Sequence, residues 1–220
     1  MICLKLKEKL VKMTIPTIKE SRKYWKICAR KVGFFLNKNS QYPGHNEIQE
    51  FDKYSGKIIL EYGCGVGTDA FEYLKRKNVV ILTDICKENI NMARHFIITE
   101  NRYYWAIFIY MENNVPIPYP DDFFDVINCH GVLHHIPDPE LVINEFYRVL
   151  KLDGIAYIML YTENHSVAKD KNYSEGPYTR FYTEDEGVEL LKKFKIEKVS
   201  LYNNDTFRTF KVRKYEKIKI

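Results

Sequence analysis

Residues 57–69 read Lys-Ile-Ile-Leu-Glu-Tyr-Gly-Cys-Gly-Val-Gly-Thr-Asp, and no other stretch restricts the fold of this chain as strongly. The apolar run Ile58-Ile59-Leu60 ends in an acid, Glu61, and glycines then occupy every second position, at Gly63, Gly65 and Gly67. A buried strand, a glycine turn and a helix start form the front edge of a βαβ unit that binds a nucleotide. The glycines remove side chains where a ligand touches backbone, and Thr68 with Asp69 is expected to cap the helix that follows.

The glycine spacing departs from the dinucleotide fingerprint. That fingerprint, G-x-G-x-x-G, seats a pyrophosphate on the exposed amides of a helix N-terminus. Here the order is G-x-G-x-G behind a carboxylate, which repels pyrophosphate and suits a cationic ligand. Asp84 ends the next apolar run, Val79-Val80-Ile81-Leu82, where an acid can accept both hydroxyls of a ribose. A ligand with a ribose, no phosphate and a positive end is S-adenosylmethionine.

With these residues in hand, the chain resembles the class I S-adenosylmethionine-dependent methyltransferases, in particular the type 11-like group acting on small molecules. The resemblance covers residues 55–165. It rests on Glu61–Gly67, Asp84, Pro118–Asp125, Gly131-Val-Leu-His-His-Ile-Pro-Asp-Pro139 and Glu145-Phe-Tyr-Arg-Val-Leu-Lys151, in that order. It implies a Rossmann-like α/β fold: a seven-stranded, mostly parallel sheet with helices on both faces and a closing antiparallel hairpin. It also implies that Glu61 meets the methionine part of the cofactor and that Gly63, Cys64, Gly65 and Gly67 pass beneath it. Asp84, with Ile85, would hold the ribose, and a residue after the third strand, Glu112 or Asn113, would meet the adenine. Cys129 and His130 would line the cofactor from the end of the fourth strand.

Length and composition agree with one globular domain. The chain has 220 residues, 45% of them apolar and 29% charged, enough to bury a sizeable core. We divide it into an N-terminal helical lid segment, 1–50, and a cofactor-binding domain, 51–220. Cys3, Cys28, Cys64, Cys86 and Cys129 are odd in number and form no C-x-x-C pair. That points to reduced thiols, a cytoplasmic setting and no metal site. The apolar runs are all shorter than the about 18 residues of a membrane span, and lysines interrupt the basic N-terminus as no signal peptide allows.

The formal charge of +5 is unevenly spread: residues 1–31 carry +8, residues 211–220 carry +4, and the remainder therefore −7. An acidic body suits a sulfonium cofactor, and the basic ends are expected to be solvated faces. The chain lacks the aromatic-basic stripe of a nucleic-acid platform.

Periodicity switches repeatedly between two and 3.6 residues. After Pro16, the box Thr17-Ile-Lys-Glu20 opens a helix with a stripe of Ile18, Tyr24, Trp25, Cys28 and Val32, ended by Gly33 and Asn37–Ser40. Strands are expected near 57, at 79–83, 103–110, 124–129, 155–161, 196–202 and 206–217. Helices are expected at 68–77, at 87–100, from Asp138-Pro139 to Lys151, and from the box Thr183-Glu-Asp-Glu186 to Phe194.

His134 and His135 follow the fourth strand and are expected at the cleft mouth as general bases, His135 ahead. Acceptor contacts are assigned to Tyr24 and Trp25, to the connection Gln41–His45 with Tyr42 and His45 as lid residues, and to the insertion 162–182 with His165, Tyr173, Tyr178, Arg180 and Tyr182. The expected activity is methyl transfer to a hydroxyl or amine of a small, sugar- or metabolite-like acceptor by a monomer or homodimer. An RNA methyltransferase and an inactive cofactor-binding partner subunit are the alternatives. A nicotinamide dehydrogenase is disfavoured by the glycine spacing and Glu61.

Overall fold

The computed structural model describes residues 15–29, 42–165 and 178–216. The expectations for Val32, Gly33, Asn37–Ser40, Gln41, Tyr173 and residue 217 lie outside the described residues. Among those described, seven strands form one sheet in the order β3-β2-β1-β4-β5-β7-β6. They are β1 (Ile58–Tyr62), β2 (Val79–Asp84), β3 (Ala106–Tyr110), β4 (Phe124–His130), β5 (Leu150–Tyr161), β6 (Lys195–Tyr202) and β7 (Phe207–Arg213). The first five run parallel, and β7 is antiparallel to both β5 and β6. This is the Rossmann-like architecture expected.

Alternation along the strands decides which side chain faces which layer. Leu60, Ile81, Ile127, Ala156 and Ile158 point into one core with Val142, Ile143 and Phe146 of α5 (Pro139–Val149). Their neighbours Ile59, Val80, Leu82, Val126 and Tyr157 point into the other. That second core is closed by Ala70, Tyr73 and Leu74 of α3 (Thr68–Leu74) and by Ile90, Ala93 and Ile97 of α4 (Lys87–Thr99). Strands apolar on both faces are what a sheet covered twice by helices demands.

Both capping boxes form. Thr17 and Glu20 exchange side-chain-to-backbone bonds at the start of α1 (Ile18–Ala29). Thr183 and Glu186 do the same at α6 (Glu184–Leu190). Thr183→Ala is expected to cost about 1 kcal/mol, read as a lower urea midpoint at unchanged slope.

Other caps and boundaries differ from expectation. Asp138 precedes α5 without a side-chain cap, and Gly67, not Thr68 or Asp69, is the cap of α3. α3 stops at Leu74 because Lys77 takes a left-handed φ of 61° and the Asn78 amide closes on the Tyr73 and Tyr54 carbonyls. α6 likewise stops at Leu190, short of Phe194. The aromatic run at 103–110 begins with a helical turn, Tyr103–Trp105, before β3 starts. Asp153, with φ of 60°, makes a bulge inside a continuous β5. A short helix, α2 (His45–Gln49), occupies a stretch expected to be plain connection.

Candidate active site

Strand order reverses between β1 and β4, so the carboxyl ends of β2, β1, β4 and β5 open onto one crevice. A cavity of about 940 Å³ lies there, within the range of ligand sites. One side of its wall is Gly63, Cys64 and Gly65 after β1, Asp84 and Ile85 after β2, and Asn89 of α4. The other is aromatic: Tyr42, Tyr161, His165 and Phe207, with His130 and His135. Ile18, Ser21, Tyr24 and Trp25 of α1 also line it, and Trp25 meets the edge of His135 at 4.9 Å between ring centres.

Asp84 holds the first side together. Its Oδ2 accepts from the Gly65 amide at 3.0 Å and from Asn89 Nδ2 at 3.1 Å, and its Oδ1 accepts from the Cys86 amide at 2.7 Å. Burial nevertheless pushes its pKa up to about 6, against these bonds. The loop amides of Gly63 and Cys64 both donate to the Thr83 carbonyl at 2.9 Å, which ties the glycine turn to β2.

Gly65 has a φ of 55°, and a Cβ there would meet nothing within 4 Å. A cradle open at that point, beside a carboxylate able to accept hydroxyls, fits the ribose and methionine parts of S-adenosylmethionine.

Several sequence-predicted residues stand one layer back. Glu61 is buried and pairs across the sheet with Asn128, whose Nδ2 donates to Glu61 Oε2 at 2.9 Å. Asp69 faces the same amide at 3.4 Å and binds His45 Nε2 at 3.0 Å. His45 is therefore a buried strut, not a wall residue. Gly67 packs on α4, where a Cβ would lie 3.1 Å from that of Ala93. Cys129 points into the core beneath α5, and burial pushes its thiol up.

After β3 the cavity is lined by the residues on either side of the expected pair. Met111 and Asn114 line the cavity, whereas Glu112 and Asn113 do not. The Tyr62 hydroxyl donates to the Asn114 carbonyl at 2.8 Å, and the Glu112 carbonyl is taken by Arg22 of α1. Asn113 turns instead to a smaller adjoining hollow with Ile18, Val115 and Leu141.

The two adjacent histidines separate. Leu133–His135 form a single helical turn, which sends consecutive side chains in different directions. His135 reaches the wall, its Nδ1 bonded to the Tyr178 carbonyl at 2.9 Å, and burial pushes its pKa down to about 4. His134 lies off the wall, stacked on Tyr161 at 3.6 Å, and burial keeps it neutral.

The side chains of Tyr178 and Arg180 stay outside the wall as well. Tyr178 contributes its carbonyl, the Arg180 amide donates to the His134 carbonyl at 2.8 Å, and the Arg180 guanidinium sits over Tyr182.

Sequence reasoning missed Asn128, Met111, Tyr161, Tyr202 and Phe207, and placed Asn114 at the crevice only as part of the loop 112–114. Only Tyr161 carried a signal, as the last residue of the fifth strand at the crevice. Among the described residues no group of three or more His, Cys, Asp or Glu is placed to hold a metal ion. No helix among them is long and apolar enough to cross a membrane.

A family model described as a methyltransferase domain matches residues 60–158. The chain is 28% identical over 170 residues to a chloroplastic 2-methyl-6-phytyl-1,4-hydroquinone methyltransferase of Oryza sativa, covering 72% of this chain and 47% of that one. It is 25% identical over 119 residues to a ubiquinone biosynthesis O-methyltransferase of Hydrogenovibrio crunogenus, covering 54% and 48%. The chain thus spans about half the length of these curated relatives. In fold it is similar to a solved S-adenosylmethionine-dependent methyltransferase from Aquifex aeolicus, with a TM-score of 0.69, 19% identity, and 86% and 97% of the two chains covered.

Proposed function

We propose that this chain, which belongs to the class I S-adenosylmethionine-dependent methyltransferases, moves a methyl group from that cofactor to a hydroxyl of a small, flat, quinone-like acceptor. The observation that carries the proposal is the two-sided cavity, with Asp84 and the open Gly65 facing an aromatic wall. Asp84 would hold the ribose, and the Gly63–Gly65 backbone would lie beneath the methionine part. Bound S-adenosylmethionine supplies a methyl group on a positively charged sulfur, already activated for transfer.

The protein's part is to bind, orient and keep water out. Tyr161 runs nearly parallel to His165 and Phe207, with ring centres 4.4 and 5.3 Å away, and Tyr42 meets Phe207 edge-on at 5.0 Å. Such a wall suits a flat ring. The names of the hydroquinone and ubiquinone-pathway relatives support the same class.

α1 is the lid in this reading. It is tied down by Lys26 to Glu88 of α4 at 2.7 Å and by Arg22 to the Glu112 carbonyl. His135 lies beneath it as a neutral, oriented imidazole. No observation favours an RNA acceptor. Many described cations are already engaged by carboxylates, among them Arg76 with Asp52 and Glu72, Lys151 with Asp125, and Lys211 with Glu50.

Calorimetric titration is expected to show binding of S-adenosylhomocysteine and none of NAD. The protein is then expected to transfer labelled methyl groups to a hydroquinone. Binding of NAD in place of the sulfur compound would sink the assignment.

A further inference from the structure

The two edges of the sheet are finished differently. β6 closes one side and carries the devices that keep a sheet edge from recruiting another strand. Lys195, Glu197 and Lys198 stand exposed along it, and its register breaks between Ile196 and Lys198. β3 closes the other side and has none of these. Its sequence, Ala106-Ile107-Phe108-Ile109-Tyr110, holds no charge, no proline and no glycine, and its register with β2 is unbroken.

The pairing with β2 decides which backbone groups of β3 are left over. The Met111 amide donates to the Asp84 carbonyl, so Ile107, Ile109 and Met111 turn their peptide groups toward β2. Alternate residues of a strand face opposite ways, which leaves the N–H and C=O of Ala106, Phe108 and Tyr110 on the outer edge. Among the described residues no strand pairs there. Side chains around that edge are apolar and open to solvent: Trp105 is 53% exposed, Ile107 46% and Tyr110 36%. Bare backbone with apolar flanks is a template for an added strand.

The charges at the two ends of β3 single out a second copy of the same strand. Arg102 stands just before it and Glu112 just after it, both exposed, and among the described residues neither side chain has an ion-pair partner. In an antiparallel pair the start of one strand lies beside the end of the other, so Arg102 approaches Glu112 of the second copy, twice. A parallel pair would set like charges side by side. With Phe108 on the two-fold axis, all three outward residues are used: Phe108 meets its counterpart, and Ala106 meets Tyr110 in both directions. Ile107 then lies against Ile109 of the second copy, in the closely spaced position, and is covered.

We propose that a second copy of this chain docks antiparallel on β3, joining two seven-stranded sheets into one continuous sheet about a two-fold axis. The strand is short, so the contact is smaller than a standard interface and the dimer forms at micromolar rather than nanomolar concentration. It adjoins the cavity, because Met111 directly after β3 lines that cavity and Arg22 of α1 lies over the Tyr110 ring.

Sedimentation velocity over a range of about 1 to about 200 µM tests this, and wild type is expected to pass from monomer to dimer within it. Ile107→Lys gives β3 a lysine of the kind that guards β6. It should weaken the dimer about tenfold or more while circular dichroism and the thermal melt certify the fold. Arg102→Glu and Glu112→Arg should each weaken the dimer about threefold or more, and the double variant, with the charges exchanged, should return to the wild-type value. A merely local defect would not be rescued in that way.

Wild type that stays monomeric throughout would leave this edge to a different chain and overturn the proposal. So would a dimer indifferent to Ile107→Lys, or a charge exchange that restores nothing.

Discussion

Asp84→Ala is expected to lose affinity for S-adenosylhomocysteine by about 100-fold or more while the sheet remains intact. Two hydroxyl bonds to an ionised carboxylate contribute about 1.5–3 kcal/mol each, so removing both predicts a loss of about 3–6 kcal/mol. The same carboxylate also orders the Gly65 amide and the Cys86 amide, so the loop loses its shape together with its ligand. Calorimetry on wild type and variant measures the effect, and near-equal affinity would show that the ribose lies elsewhere.

The wild type carries a pH signature of the same residue. Burial raises the Asp84 pKa from 3.8 to about 6. The folded chain thus holds this proton more tightly than the unfolded chain, and the stability that results is present below about pH 4 and lost as pH rises through about 6. Cofactor binding needs the ionised form and runs the other way, weakening as pH falls through about 6. Asp84→Ala should abolish both trends at once.

The second large effect separates two glycines that look alike in the sequence. Gly63→Ala is expected to destabilise the fold by about 2–5 kcal/mol. Its φ of 71° costs a side chain about 1–2 kcal/mol, and the new Cβ would fall 2.4 Å from Val132 Cγ2, an overlap that adds about 1–3 kcal/mol. Gly65→Ala carries only the first cost, because nothing stands within 4 Å of its Cβ. It should melt within a few degrees of wild type yet bind S-adenosylhomocysteine poorly, since the methyl group occupies the cradle. Thermal melts and calorimetry on both variants decide this. Equal destabilisation, or full binding by Gly65→Ala, would show that the loop does not lie beneath the ligand.

These contrasts mark how far the chain could be read without its structure. β1, the glycine turn and α3 were legible because apolar run, acid and glycines are adjacent, and the chemistry of a turn is local. Asp84 was legible for the same reason, as the acid that closes the next apolar run. Both capping boxes were legible because Thr17 with Glu20 and Thr183 with Glu186 are three residues apart and satisfy each other's backbone. α2 was not. It has five residues, begins at a left-handed Gly44 without a side-chain cap, and is too short to show a period.

The site divides along the same line. The sequence by itself determined the alternation of strands and helices, the glycine turn and the carboxylate on β2, because these follow from periodicity and from neighbours along the chain, while the layout of the sheet was implied by the family resemblance. Only the tertiary structure decided that Glu61 spends its oxygen on Asn128, that His45 braces Asp69, that His135 rather than His134 reaches the wall, and that Tyr202 reaches His130. Those partners lie 67, 24 and 72 residues apart where they pair. A single-turn difference in direction, or a partner brought across the sheet by strand order, leaves no local pattern: burial and packing choose the partner, and they exist only once the chain has folded.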